Sequence, residues 1–346
     1  MPAHRCVRQR IAVRLRPGRD ADADAIIRLI GDCWAEYPGC VMDLDGEVPE
    51  LRALASHAAG RGGAMWVAEA EGRVVGLVCA WPLTDGTWEL AKMYVASAER
   101  GGGIAHDLAD AAEAQARAGG ATRMALWTDT RFDRAHRFYE KRGFVRQGPI
   151  RALADASNTI EFGYARPLTG AVVAVLDAAA AASAVVPLAR VLVDCVADGA
   201  SVSFMAPLAE ARARAFWNDM ARGVARGERV LIAAWLEGAL VGTVQVLLAM
   251  PENQPHRGEL QKMLVHPVAR RHGLGRRLLA AAEDAAARAG RTLLTLDTAS
   301  TAAEALYRAG GWIVVGDVPE FALNPDGTAC DTRFFYRRLD SALPCG

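Results

Sequence analysis

The sequence has few lysines and no excess charge of either sign. Its 40 basic residues balance 40 acidic ones, and only Lys92, Lys141 and Lys262 are lysines. Zero formal charge argues against a dedicated nucleic-acid-binding protein, for which a basic excess is typical. The arginine bias, together with the abundant alanine, indicates genome composition rather than function.

Patterned cysteines and long hydrophobic runs are also missing. The seven cysteines form no CxxC pair and the seven histidines show no metal-ligand spacing, so we expect no disulfide framework and no metal. The basic N-terminus at 1–10 has no apolar core after it, which argues against a signal peptide. Residues 171–186 are apolar but contain Asp177 and fall short of the roughly 18 residues that a membrane span needs. We therefore expect a cytoplasmic protein with reduced thiols and no membrane segment.

The chain does contain a repeat of itself. WELAKMYVASAERGGGIAHDL at 88–108 aligns without gaps with GELQKMLVHPVARRHGLGRRL at 258–278. This repeat predicts two copies of one domain, 1–168 and 169–346, which would pack as a pseudo-dimer within one monomeric chain. Three shorter pairs of segments extend the match: 71–76 with 237–242, 126–130 with 295–299, and 135–144 with 303–312.

Each half shows the same pattern of elements, β-α-α-β-β-β-α-β-α-β-β, beginning with a strand at Ile11–Arg14 in the first half. This order predicts a mixed α/β sheet, antiparallel through its hairpin strands and parallel across the central helix. We expect Asp20 to cap a helix over 20–35, and we expect helices at about 178–198 and 205–226 in the second half.

A glycine-rich loop precedes the central helix in each half, RRHGLG at 270–275 and RGGGIA at 100–105. A helix N-terminus has free N–H groups and a partial positive charge, and glycine lets an anion approach the backbone closely. The loop is therefore either a phosphate cradle or a turn with solvated arginines. Its occurrence twice, each time after the same strand, favours the cradle.

Two common nucleotide motifs do not fit this loop. No segment matches the GxxxxGK[ST] pattern of a Walker A loop. The dinucleotide pattern GxGxxG fails because Leu278 and His106 stand in the place of its third glycine. Asp297 ends the next strand, where a dinucleotide fold has an acidic residue, but the loop follows a hairpin instead of opening a βαβ series.

The pattern that both loops satisfy is [Q/R]xxGx[G/A]. With the preceding strand and the later Tyr-x-x-x-Gly-aromatic segment, the chain resembles the GNAT superfamily of acetyl-CoA-dependent acetyltransferases over nearly its whole length. The second half resembles a tabtoxin-resistance-type acetyltransferase and the first a general small-molecule GNAT domain. The resemblance implies two tandem GNAT-like domains, each a mixed β-sheet flanked by helices with a central V-shaped splay for acetyl-CoA.

The resemblance also implies which residues hold acetyl-CoA. Backbone N–H groups of the two loops would bind the pyrophosphate, and the ends of two strands would pair with the pantetheine arm. The loop residues are Arg270, Arg271, His272, Gly273, Leu274, Gly275 and Arg276, and Arg100, Gly101, Gly102, Gly103, Ile104 and Ala105. The strand residues are Met263, Leu264 and Val265, and Met93, Tyr94 and Val95.

Direct transfer to an amine needs a base, and Glu259 and Glu89 are the expected bases, acting through a water. Family members carry a catalytic glutamate at this distance before the motif arginine. Partial desolvation on a mid-sheet strand should raise the pKa of such a carboxyl. The competing role is an ion pair with Lys262 or Lys92, which strand alternation would place on the opposite face.

Tyr307 and Tyr139 are the expected acids, because family members place a tyrosine on the short helix after the fifth strand. The competing role is a core aromatic with a solvated hydroxyl. Family members often have an asparagine seven residues earlier, where this chain has Ser300 and Phe132, so that contact to the cofactor is not expected.

The acceptor pocket should be built from segments 37–51 and 199–208. Three acidic residues of the first segment would attract a cationic amine or simply be solvated, and Ser201 and Ser203 are expected to cap a helix. The acidic residues are Asp43, Asp45 and Glu47.

The favoured function is acetylation of a small amine that is amino-acid-like or antibiotic-like. One alternative is that one half is active and the other is degenerate, structural or a sensor of acyl-CoA. Another alternative is acetylation of a protein or peptide. Neither nucleic acid nor membrane is an expected partner.

Overall fold

The computed structural model describes residues 13–84 and 86–339. The described chain divides into two compact units, 13–136 with 147–169, and 137–146 with 170–339. Of the strand predicted at Ile11–Arg14, Ile11 lies outside the described residues. The predicted domain limits at 168 and 169 stay a prediction.

The first half of the chain contains eight strands and four helices within the described residues. Most of α4 and all of β6 belong to the second unit. In chain order the elements are β1 (Val13–Pro17), α1 (Ala23–Ala35), α2 (Leu54–Gly60), β2 (Ala64–Ala70), β3 (Arg73–Pro82), β4 (Thr87–Val95), α3 (Ile104–Ala118), β5 (Arg123–Asp129), α4 (Asp133–Lys141), β6 (Val145–Arg146), β7 (Arg151–Ala152) and β8 (Ile160–Pro167).

The first unit is a sheet with helices on both faces. Its strand order is β1-β2-β3-β4-β5-β8, with β7 paired to β8, and only the β4–β5 pairing is parallel. Leu77 and Cys79 of β3 are buried against α1 and α2. Gly76 faces Ile104 and Leu108 of α3 on the opposite side of the sheet.

The second half has the same plan with one additional helix. Its elements are β9 (Ala171–Leu176), α5 (Ala178–Ser183), α6 (Val185–Ala197), α7 (Glu210–Ala225), β10 (Arg229–Leu236), β11 (Ala239–Leu247), β12 (Arg257–Val265), α8 (Leu274–Arg288), β13 (Leu293–Thr298), α9 (Thr301–Ala309), β14 (Ile313–Leu323) and β15 (Ala329–Arg338). The sheet order is β14-β15-β13-β12-β11-β10-β9, and only the β12–β13 pairing is parallel.

The second sheet separates two hydrophobic cores. Helices α5 to α7 pack against one face, where Trp217 and Trp235 are fully or almost fully buried. Helices α8 and α9 pack against the other face, with Leu278 and Tyr307 in that core. Leu260 belongs to the α8–α9 core and Leu264 to the α5–α7 core.

Several predicted helix ends are wrong. The helix predicted over 178–198 is broken at Ala184 into α5 and α6, and α7 begins at Glu210 instead of 205, after turns that contain Pro207. Helix α1 begins at Ala23, because the Asp20 carboxylate accepts hydrogen bonds from the backbone N–H and hydroxyl of Ser56 instead of capping it.

The central splay is confirmed in both sheets. Strands β4 and β5 pair only through residues 87–89 and 123–125. Strands β12 and β13 pair only through 257–259 and 293–295. Beyond these positions each pair of strands separates into a fork, which leaves the backbone edge of β4 and of β12 open toward its former neighbour.

Candidate active site

Each predicted base stands where its fork opens. Glu89 faces Ala125 and Glu259 faces Thr295, and both are the last paired positions of their parallel strands. Glu259 neighbours Leu260, which packs in the α8–α9 core, so the Glu259 carboxylate lies on the opposite, α6–α7 face.

A β-bulge follows each glutamate and changes the expected alternation. Three residues of β12, from Gln261 to Leu264, span the same length as two residues of β11, and β4 has the same irregularity. The additional residue is the lysine, with φ of +51° at Lys92 and +50° at Lys262. Strand alternation was therefore the wrong basis for placing these lysines on the face opposite the glutamates.

The two lysines have different partners. Lys92 Nζ lies 3.0 Å from Glu50 Oε1 in an ion pair. Lys262 Nζ donates a 3.0 Å hydrogen bond to Ser203 Oγ. Ser203 therefore holds a lysine and Ser201 donates to the Leu323 carbonyl, so neither serine is the helix cap that the sequence predicts.

The two glutamates also have different surroundings. Glu259 Oε1 accepts a 2.8 Å hydrogen bond from Gln261 Nε2, and Arg257 Nη1 lies 3.6 Å from its other oxygen. Glu89 Oε2 accepts a 2.8 Å hydrogen bond from Trp81 Nε1, and Arg61 lies 4.0 Å from the same atom. Among the described residues neither glutamate pairs with the lysine three positions on.

The loop before each central helix is built to receive an anion. Gly103 and Gly273 are the N-cap residues of α3 and α8, with φ of +100° and +74°, and neither helix has a side-chain cap. The first-turn N–H groups of a helix have no acceptor within the helix. A Cβ atom on either glycine would meet nothing within 4 Å, so this side of the loop is open. Both loops therefore fit a pyrophosphate.

The remaining predicted loop residues contribute backbone or packing. Arg271 repeats the left-handed conformation of Gly101, with φ of +70° and +84°. Ile104 and Leu274 are buried at the start of their helices. The other positions form the turn and first helical residues: Gly102, Ala105, His272, Gly275 and Arg276.

The first arginine of each motif braces the loop instead of carrying an unpaired charge. Arg100 makes two 2.6 Å hydrogen bonds to the Glu36 carboxylate and donates to the Val95 carbonyl at 2.9 Å. Arg270 lies 2.6 Å from Asp198 Oδ2 and donates to the Val265 carbonyl at 3.3 Å. Each acid is the C-cap residue of the helix before it, α1 or α6.

Sequence reasoning missed these two acids, although a signal was present. DCWAE at 32–36 and DCVAD at 194–198 share the pattern DCxA[E/D]. Cys33 and Cys195 in this pattern each lie 3.7 Å from the carbonyl oxygen of Val95 or Val265. The spacing between these copies differs from that of the gapless repeat, so a search at one fixed offset does not find them.

The strand residues predicted to hold the pantetheine arm divide by face. Tyr94 and Leu264 point into the α1 and α6 cores, and the Tyr94 hydroxyl accepts a 2.9 Å hydrogen bond from Trp34 Nε1. These two residues therefore offer only their backbone to a ligand in the fork. The other four residues, Met93, Val95, Met263 and Val265, lie along the same strand ends.

Tyr307 is buried on the α9 side of the fork. Its hydroxyl donates to Met263 Sδ at 3.5 Å, and its ring packs on Trp312 and Phe335. Burial, and to a smaller extent the charge of Asp297, raises the pKa of the Tyr307 hydroxyl well above its usual range. The hydroxyl therefore stays protonated at neutral pH.

Tyr139 is also buried, with its ring edge-on to Phe144 at 5.8 Å between centroids. It lies in α4, in the segment 137–146 that belongs to the second unit, whereas Glu89 belongs to the first. The predicted acid and base of the first half are thus divided between two compact units.

Asp297 is a second carboxylate at the fork of the second unit. It lies two residues beyond Thr295 and on the same face as Glu259. Burial in the fork, and the nearby charge of Glu259, raise the pKa of the Asp297 carboxyl, although the side chain is open to solvent. Burial lowers the pKa of Lys262, while Asp297 and Glu259 oppose that shift.

The strand register corrects one part of the sequence alignment. Thr87 faces Arg123 and Arg257 faces Leu293, so β5 and β13 keep the offset of the preceding strands. The residue equivalent to Asp297 is consequently Trp127, whose ring lies 4.2 Å beneath the Arg151 guanidinium. The sequence pairing of 126–130 with 295–299 is wrong by one position.

The acidic segment near 43–47 is held by local contacts. Asp43 accepts from the Gly46 N–H at 2.8 Å, Asp45 pairs with Arg52, and Glu47 accepts from the Ala156 N–H. Among the described residues there is no group of three metal-ligating side chains and no helix that could cross a membrane.

Comparison with known proteins agrees with this geometry. The model of the acetyltransferase (GNAT) family matches residues 25–144 and 197–311. The chain belongs to the GNAT acetyltransferase family. Membership makes it an acetyl-CoA-dependent N-acetyltransferase, and the open glycine loops and forked strands of both units fit that donor.

Two curated relatives are uncharacterized N-acetyltransferases. One, from the hisH-hisA intergenic region of Azospirillum brasilense, is 33% identical over 31% of this chain and 64% of its own length. The other, YjgM of Escherichia coli K12, is 41% identical over 36% of this chain and 76% of its own length. The likeness of the second half to tabtoxin-resistance enzymes stays a prediction.

Solved GNAT structures resemble half of the chain at a time. A Staphylococcus aureus Mu50 GNAT acetyltransferase covers 46% of this chain and 100% of its own, with 20% identity and a TM-score of 0.41. The Salmonella typhimurium protein yncA, solved with its cofactor acetyl-CoA, covers 51% of this chain and 98% of its own, with 20% identity and a TM-score of 0.42.

Proposed function

We propose that the second unit transfers the acetyl group of acetyl-CoA to the primary amine of a small molecule. The observation that carries this proposal is the arrangement around the fork, with carboxylates on one face and a protonated tyrosine on the other. Glu259 and Asp297 lie on the α6–α7 face, and Tyr307 packs in the α8–α9 core.

The loop and strand residues would hold the donor. N–H groups of residues 271–276 would bind the pyrophosphate, with Arg271 and Arg276 exposed beside it. The open edge of residues 263–265 would pair with the pantetheine arm. The donor supplies an activated thioester carbonyl when it is bound.

The remaining work is proton transfer. The acceptor ammonium must lose a proton before attack, and Glu259 would accept it through a water, with Asp297 as a second carboxylate close by. Tyr307 would provide a proton from Oη to the departing sulfur, since its raised pKa keeps it protonated. No covalent bond to the protein is needed.

The second unit is the better candidate for the active half. The first-half loop has one arginine, Arg100, whose charge is paired with Glu36, and Trp127 replaces the second carboxylate. A degenerate or acyl-CoA-binding role for the first half is therefore the second candidate function.

The test is thiol release from acetyl-CoA with a panel of small amines and, separately, peptides. We expect release with small amines, lost in Glu259→Gln and kept in the matched Glu89→Gln. Release with peptides alone would overturn the small-molecule proposal. Equal loss in both variants would contradict the assignment to the second unit.

A further inference from the structure

The two bulge lysines form a natural comparison inside one chain. Lys92 is neutralised by Glu50 at 3.0 Å, so its charge is already used within the protein. Lys262 has only the neutral Ser203 hydroxyl at 3.0 Å, and no carboxylate lies within 4.0 Å of it among the described residues. A desolvated ammonium with a neutral partner can still bind an anion.

Two carboxylates lie on the same side of the fork as this lysine. Ser203 is flanked by Val202 and Phe204, which pack against the α5–α7 core, and Glu259 and Asp297 face that side of the sheet. Their charges act on Lys262, although neither carboxylate forms an ion pair with it. The site thus presents one cation and two anions, separated from one another.

We propose that Lys262 selects a zwitterionic acceptor, a small molecule with both a primary amine and a carboxylate. This inference rests on the proposed function of the second unit. The carboxylate of the acceptor would bind Lys262 Nζ, assisted by the Ser203 hydroxyl. The ammonium would lie toward Asp297 and Glu259, where the proton is removed.

The first unit lacks this combination. The position of Asp297 is occupied by Trp127, and that of Gln261, which holds Glu259, by Ala91. With Lys92 already paired, the first fork has no counterpart of the cation and the second carboxylate. The two halves therefore cannot share this acceptor specificity.

The experiment compares each amino acid with its own carboxamide and with the amine that lacks the carboxyl group, using α-, β- and γ-amino acids. Thiol release gives kcat/KM for each compound with wild type, Lys262→Met, Lys262→Arg and the matched control Lys92→Met. Thermal unfolding of each variant checks its folding.

We expect wild type to prefer at least one amino acid over its amide. Lys262→Met should lower kcat/KM for that amino acid by roughly 10- to 100-fold, the value of a charged hydrogen bond, and leave the amide unchanged. Lys262→Arg should keep part of the preference, and Lys92→Met all of it.

Two results would overturn the proposal. Equal rates for amino acids and their amides in wild type would do so without any variant, as would an equal loss for both compounds in Lys262→Met. If no amine is acetylated at all, the proposed function itself fails, and the selectivity inference fails with it.

Discussion

Arg270 Nη1 lies 2.6 Å from Asp198 Oδ2, and Arg100 Nη1 lies 2.6 Å from Glu36 Oε2. Each pair ties the end of the helix before the sheet to the start of an acetyl-CoA loop. The arginine that opens the family motif is therefore a positioning residue in both halves. Its guanidinium holds the loop against the strand carbonyl of Val265 or Val95.

Removing the acids should affect the two halves unequally. Asp198→Asn breaks a pair whose side chains are 42% and 47% exposed, so we expect a loss of less than about 1 kcal/mol of stability. Glu36→Gln breaks a bidentate and more buried pair, so its loss should be larger. Urea unfolding of both variants measures the order, and a larger loss for Asp198→Asn would contradict it.

Gly273→Ala should weaken acetyl-CoA binding in the second unit. An alanine at φ +74° is strained by about 1 kcal/mol, and its methyl group would stand in the open side of the loop. We expect a loss of at least roughly 5-fold in affinity by titration calorimetry. Gly103→Ala is the matched variant, and the site that it weakens identifies whether the first half binds the donor.

Tyr307→Phe should reduce turnover without unfolding the protein. The ring contacts with Trp312 and Phe335 remain, while the proton donor is lost, so kcat should fall by roughly 100-fold or more. Because its pKa is raised far above 10, Tyr307 should produce no basic limb in the wild-type pH profile below pH 10. A thiol-release profile measures both, and unchanged kcat would exclude the role of acid.

Asp297→Asn should stabilise the protein at neutral pH. The folded-state pKa of Asp297 is raised above its unfolded value of 3.8, so the folded state binds more protons between the two values. Stability from this group is complete below 3.8 and is lost as the pH rises through the folded pKa. The asparagine cannot ionise, so its advantage over wild type should grow as the pH rises across this window.

Thermal unfolding of Asp297→Asn and wild type from pH 3 to pH 8 measures this difference. A constant difference at every pH would show that Asp297 does not titrate with a raised pKa. The same variant should lose thiol release with amine acceptors if the carboxylate takes part in the site.

The sequence by itself determined the duplication, the mixed sheets and the phosphate loops. These features depend on local signals, because residues that are close in sequence form each strand, each helix and the turn between them. Gly103 and Gly273 mark the loops directly, since a left-handed N-cap favours glycine. Glu259 and Tyr307 could be chosen only through resemblance to a family.

Only the tertiary structure decided what surrounds those residues. A bulge inserts Lys262 into β12, and strand pairing sets Asp297, not its sequence-aligned neighbour, against the place of Trp127. Both depend on hydrogen bonds between strands distant in sequence, and a shift of one residue reverses the face of a side chain. The partners of Lys262 and Arg270 come from segments more than fifty residues away, so no local pattern specifies them.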